Sequence, residues 1–123
     1  MSEINDSAAP QIRTRRALQD AGFGLITEID VAATLKAKLG AEFRPYLILG
    51  ACNPALAREA LQIEDKVGTM LPCNVVVQAS PIGESVEVAA IDPVASMAAI
   101  DNPVLLGLAQ IVADKLKGAV AAI

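Results

Sequence analysis

Three dipeptides, Asn53-Pro54, Asp92-Pro93 and Asn102-Pro103, constrain the fold of this chain more than any other feature. In each, a short side-chain oxygen stands ready to accept from the free N–H groups of a helix's first turn. The proline that follows has its φ preset for the first helical position and no N–H to leave unsatisfied. Each pair therefore opens a helix, and none can lie inside one. The helices so opened run over about 55–63, 94–100 and 103–117. In the last, Leu105, Leu108, Val112 and Leu116 recur at helical spacing as a buried stripe, which Ile111 and Ala119 widen.

The remaining elements follow from periodicity. Residues 1–9 read as a loose polar arm, and Asp6 or Ser7 caps a first helix over 10–21 that Gly22 stops. Residues 23–29 read as a strand with Phe23, Leu25 and Ile29 on one face, and the two glycines at its start suggest close backbone contact or a bulge. Asp30 caps a helix over 31–39, with Val31, Leu35 and Leu39 every four residues, and Gly40 ends it. Tyr46 to Ala51 is a continuous apolar run, short enough for a buried strand. Residues 67–78 form a second apolar segment broken by Pro72, and 85–91 return as a strand after a turn at 80–84, completing a hairpin. Residues 10–123 thus make one domain, of the α+β class, with a mixed or mainly antiparallel sheet packed by helices.

Composition closes off several functions. The chain has 123 residues, a net charge of −4 and only Phe23, Phe43 and Tyr46 as aromatics. Affinity for phosphate backbones and base-stacking surfaces are both disfavoured, so no nucleic-acid partner is expected. The most apolar window, 94–113, is interrupted by Asp101-Asn102-Pro103, and the first ten residues have no apolar core. Neither a membrane span nor a secretory signal is expected, and the chain reads as cytoplasmic. Histidine is absent, which removes the triads that use it and the metal centres that depend on imidazole.

What remains is a repeated dipeptide. The two cysteines stand in Cys52-Asn53 and Cys73-Asn74, each beside a proline. Cys52 immediately precedes a helix start, where oriented N–H groups create the surroundings of reactive thiols. If the two segments lie side by side, both thiols and both amides converge, and the amides offer donors to an anion or a carbonyl oxygen. Packing explains the same residues otherwise: free cysteine behaves as a small core hydrophobe, Asn53 is a helix cap and Asn74 satisfies a turn or bulge. Glu28 is a charge within an otherwise apolar strand and joins the candidate ligand-binding set of Cys52, Asn53, Cys73 and Asn74. No metal-ligand spacing is present, and no cofactor loop, so no cofactor is assigned.

The segments Gly22-Phe23-Gly24-Leu25-Ile26-Thr27-Glu28-Ile29-Asp30, Leu49-Gly50-Ala51-Cys52-Asn53-Pro54 and Leu71-Pro72-Cys73-Asn74-Val75-Val76-Val77 together resemble the DUF302 family, small bacterial and archaeal proteins of unknown function. The likeness spans about residues 17–93 in register. It implies a compact α+β domain, an antiparallel sheet packed by helices, and a homodimer; it brings no mechanism. Members of the family usually begin with a strand ahead of the first helix, whereas Ser2 to Pro10 is polar here, so the sheet either lacks that edge strand or covers the edge otherwise.

Three functions stay open on the sequence. The chain is a ligand-binding or sensor-like module with its pocket at the Cys-Asn segments, a thiol redox protein or enzyme using Cys52, or a structural or interaction domain with buried cysteines. No base, metal motif or cofactor loop supports a catalyst.

Overall fold

The computed structural model describes residues 2–4, 10–80 and 85–123. The caps expected at Asp6 or Ser7 and the turn over 81–84 lie outside the described residues. The elements are β1 (Ser2–Ile4), α1 (Pro10–Asp20), β2 (Gly24–Asp30), α2 (Val31–Leu39), β3 (Tyr46–Cys52), α3 (Pro54–Ile63), a 3-10 helix (Asp65–Met70), β4 (Cys73–Ala79), β5 (Val86–Ala90), α4 (Pro93–Met97) and α5 (Pro103–Ala121). All pairings are antiparallel, and the strands lie in the order β1-β5-β4-β3-β2.

The helix starts form as their capping residues dictate. Asn53 Oδ1 accepts from Leu56 N at 3.2 Å, Asp92 from Val94 N at 2.9 Å, and Asn102 from both Val104 N and Leu105 N. Asp30 Oδ1 accepts from Ala33 N at 2.9 Å, and Gly40, at φ 65°, ends α2 by donating to Lys36 O. Gly22, at φ 93°, closes α1, and Phe23 N donates to Leu18 O at 2.8 Å.

One sheet face is covered by α1 and α5. Leu49, Ala51, Cys73, Val75, Val77 and Val88 point into it and pack with Leu18, Phe23, Leu116 and Ala119. Each large side chain buried there stabilises the fold by about 1.5–3 kcal/mol relative to exposure. Beyond the end of the sheet a second core gathers Ala60, Val67, Met97, Leu105, Leu108 and Ala109. Helix α5 runs through both. Its stripe is buried at Leu105, Leu108, Leu116 and Ala119, half-buried at Val112 and exposed at Ile111.

Three expectations are corrected. Ser2–Ile4 pairs with Val88–Val86, so a three-residue edge strand occupies the outer side of β5. A strand needs only its backbone donors and acceptors, which polar residues supply as well as apolar ones. Val67 belongs to the 3-10 helix rather than to a strand, because β4 begins only after Pro72, at Cys73. Leu25 faces Ala51 while Thr27 faces Gly50, leaving Ile26 as an extra residue; this bulge turns Ile29 to the side opposite Phe23 and Leu25. Helix α2 enters neither core: Val31 and Leu35 are half-buried beside β2 and β3, and Leu39 is 74% exposed.

Candidate functional site

Register brings the Cys-Asn segments together at one corner of the sheet. Ala51 lies opposite Cys73, Gly50 opposite Asn74, and on the other side of β3, Gly24 lies opposite Cys52. Each of the three segments that carry the family resemblance has one end there. Their contact is close. A Cβ on Gly22 would stand 3.3 Å from Asn53 Nδ2. On Gly50 it would lie far closer to Thr27 Oγ1 than van der Waals contact allows, and 2.7 Å from Pro72 Cγ.

Strand alternation then separates the four residues by face. Leu49, Ala51 and Cys73 turn inward, toward α1 and α5; Gly50, Cys52 and Asn74 turn outward. Cys73 is 6% exposed and belongs to the core, whereas Cys52 is half-buried and Asn74 exposed. Burial pushes the Cys73 thiol up, and the neighbouring Cys52 adds to the rise by opposing a second negative charge. The thiols are thus neighbours on opposite faces. A disulfide requires Cβ vectors that point at each other, so bridging them would require the backbone to turn. Both are free cysteines.

Asn53 spends its carbonyl oxygen on the α3 cap, which leaves its NH2 group to donate. Asn74 uses its backbone oxygen to accept from Ile91 N at 3.1 Å, and its side chain stands at the surface. The corner therefore presents one reachable thiol between two amides. Among the described residues no three Cys, Asp or Glu side chains gather in a way that would hold a metal ion.

Glu28 is not part of this corner. It lies opposite Leu49, four positions along β2 from Gly24, about 13 Å at strand rise. Its carboxylate is bound by Arg15 of α1 at 2.7 Å. Of the basic cluster on α1, Arg15 thus ties the helix to β2 and Arg13 meets the Ile123 carbonyl, while Arg16 is exposed.

Sequence reasoning missed Thr27 and Pro72, which lie over Gly50 beside Asn74. The signal was present: a glycine inside an apolar strand marks a close approach. It also missed the outer sheet face, where Ile29, Ile48, Val76 and Ala89 stand opposite one another as a row across four strands. These four join neither core, and Ile29 is 49% exposed. Among the described residues no helix is long and apolar enough to cross a membrane.

The sequence profile of the family described as "Domain of unknown function DUF302" matches residues 9–123. The chain is also similar to an uncharacterized conserved DUF302 protein from Bacillus stearothermophilus, known from a crystal structure. The two are 25% identical, with a TM-score of 0.88 over 98% of this chain and 94% of that one. Among curated proteins nothing matches the chain.

Proposed function

The chain belongs to the DUF302 family, and from that premise we propose that it is a cytoplasmic, homodimeric module that binds a small molecule at the Cys-Asn corner. The observation that supports this reading is the meeting of all three resembling segments at one place, with Cys52 partly open and Asn74 at the surface. The ligand carries a carbonyl or anionic oxygen, which the Asn53 and Asn74 amides address, and it lies against the Cys52 sulfur. Cys73 supports the corner from within.

A thermal-shift panel of small carboxylates and carbonyl compounds tests the reading, paired with alkylation of the folded protein resolved by peptide mass spectrometry. Cys52 is labelled quickly and Cys73 only on unfolding. A true ligand raises Tm, slows Cys52 labelling, and loses both effects in Asn74→Ala. Cys52 that stays unlabelled until the protein unfolds, or a panel in which no compound slows its labelling, sinks the reading.

A second reading, a structural or interaction domain, draws on the place of Cys73 in the core and on Asn53 as a cap. There, Cys52→Ala alters stability and no small molecule protects it.

A further inference from the structure

We propose that the cleft between β5, α4 and α5 is a second site, which takes a short free peptide as an added strand on the open half of the β5 edge. This cleft stands apart from the Cys-Asn corner and needs nothing from it.

The hydrogen bonds of β5 alternate between its two sides. Ser80 N donates to Ser85 O at 2.9 Å and Ile91 N to Asn74 O at 3.1 Å, so residues 85, 87, 89 and 91 face β4. Val86, Val88 and Ala90 therefore turn their N–H and C=O groups to the other side, where β1 lies. β1 extends only to Ser2, opposite Val88. Among the described residues nothing pairs with the backbone of Ala90, although that residue is half-buried. A partly buried donor and acceptor without partners cost stability until something pairs them.

The open half of the edge is also enclosed. Ala90 lies in one wall of a cleft of about 600 Å³, Pro93 of α4 in another, and Ala113, Leu116 and Val120 of α5 in a third. Small-ligand sites are typically about 300–1,000 Å³.

The chemistry of the rail selects the occupant. A free N–H and C=O on one strand residue match what a residue of another extended chain offers, donor to acceptor and acceptor to donor. The fold already uses the same rail this way, since β1 is a three-residue segment held on β5 by such pairing. Length is limited at both ends: β1 occupies the rail at Val86–Val88, and after Asp92 the chain turns into α4. Residues 89–92 leave about 13 Å, room for a tripeptide or tetrapeptide and not for a long strand. Paired residues share a face, and Ala90 packs toward the sheet core, so the side chain opposite it meets the apolar wall of α5. A free peptide also carries one charge of each sign at its ends. The cleft supplies both, with Asp92 and Asp114 beside Lys117, which has no ion-pair partner among the described residues.

Nitrogen-15 NMR of the full chain tests this by titration with free Ala-X-Ala tripeptides, X running over the standard amino acids. In the free protein the Ala90 amide exchanges quickly with solvent, while Ala89 and Ile91, bonded to β4, are protected. A tripeptide with an apolar centre slows Ala90 exchange on the order of tenfold and shifts the resonances of Ala113 and Lys117. Ala90→Pro removes the donor on the side away from β4, where an edge strand tolerates proline; circular dichroism verifies the fold, and binding is lost. Ala113→Phe fills the cleft, loses binding likewise, and decides the matter if Ala90→Pro does not fold. An Ala90 amide already protected in the free protein, a panel in which no tripeptide shifts these resonances, or binding that survives Ala113→Phe overturns the proposal. Equal binding of the free amino acid X makes the cleft a small-molecule site and overturns the added strand.

Discussion

Cys73 and Gly50 sit one strand apart at the same corner, and each is constrained by what its side chain meets. Cys73 faces the core, where the neutral thiol is favoured over the thiolate, so its folded pKa lies above the unfolded value. With a raised folded pKa, the contribution to stability is complete below the unfolded value, near 9.0, and is lost as pH climbs toward the folded one. One proton difference sets the slope at no more than about 1.4 kcal/mol per pH unit. Urea unfolding of wild type and Cys73→Ala across pH 7 to 11 reads this directly. The wild-type advantage shrinks above pH 9; a constant difference between the two would show that Cys73 ionises equally well in both states. Gly50 faces the other way, under Thr27 and Pro72. Gly50→Ala therefore overpacks the corner and costs about 1–3 kcal/mol, part of which Thr27→Ala restores by vacating the space beside the new methyl. A neutral Gly50→Ala in urea titration would mean the corner is looser than its geometry.

Helix starts were the most legible part of the fold, because a cap and a proline act within four residues and owe little to the rest of the chain. Asn53 illustrates how an element and a site share a residue. Replacing it by Asp keeps the acceptor for Leu56 N, so Asn53→Asp stays within about 0.5 kcal/mol of wild type, whereas Asn53→Ala costs about 1 kcal/mol. Ligand binding discriminates differently, since Asp has no amide donor: both substitutions abolish the protection of Cys52. Chemical denaturation and the labelling assay separate the two roles, and an Asp variant that still protects Cys52 would remove the amide from the site. The strands and the convergence of Cys52-Asn53 with Cys73-Asn74 were half legible. The apolar runs located β3 and β4, but only register decides that Ala51 meets Cys73, and no local signal carries register. Ile29 was misplaced because the period-2 pattern was continued through Ile26, where the backbone bulges. Glu28 was drawn into the site by its charge alone, and its partner Arg15 lies thirteen residues earlier on another element. The α2 stripe is legible as apolar, yet α2 alone does not encode that Val31 and Leu35 are half-buried while Leu39 is exposed.

At the scale of the whole molecule, the question is whether two cores make one cooperative unit. Among the described residues the sheet core and the helical core have no buried residue in common, and α5 is the element that enters both, with Leu116 and Ala119 in the first and Leu105, Leu108 and Ala109 in the second. A nineteen-residue helix is about 28 Å long and transmits loss of order from one end to the other only while it stays intact. The remaining links favour coupling. β3 leads into α3 through a single capping residue, Asn53, and β5 is separated from α4 by Ile91 and Asp92, so neither core can open without disturbing the sheet's ends. The molecule is therefore expected to unfold in one transition. Its composition supplies a clean test: Tyr46 is the only tyrosine and tryptophan is absent, so intrinsic fluorescence reports the sheet while far-ultraviolet circular dichroism is dominated by the helices. Leu105 is fully buried in the helical core, and Leu105→Ala costs about 2–5 kcal/mol. In a single unit, that change lowers the Tyr46 transition and the circular-dichroism transition by the same amount, although Tyr46 lies in the sheet. Two separated transitions, with the helical signal lost first and Tyr46 unchanged, would show that α5 joins two domains of stability and that the Cys-Asn corner, at the end of β3 where α3 begins, lies on the boundary between them.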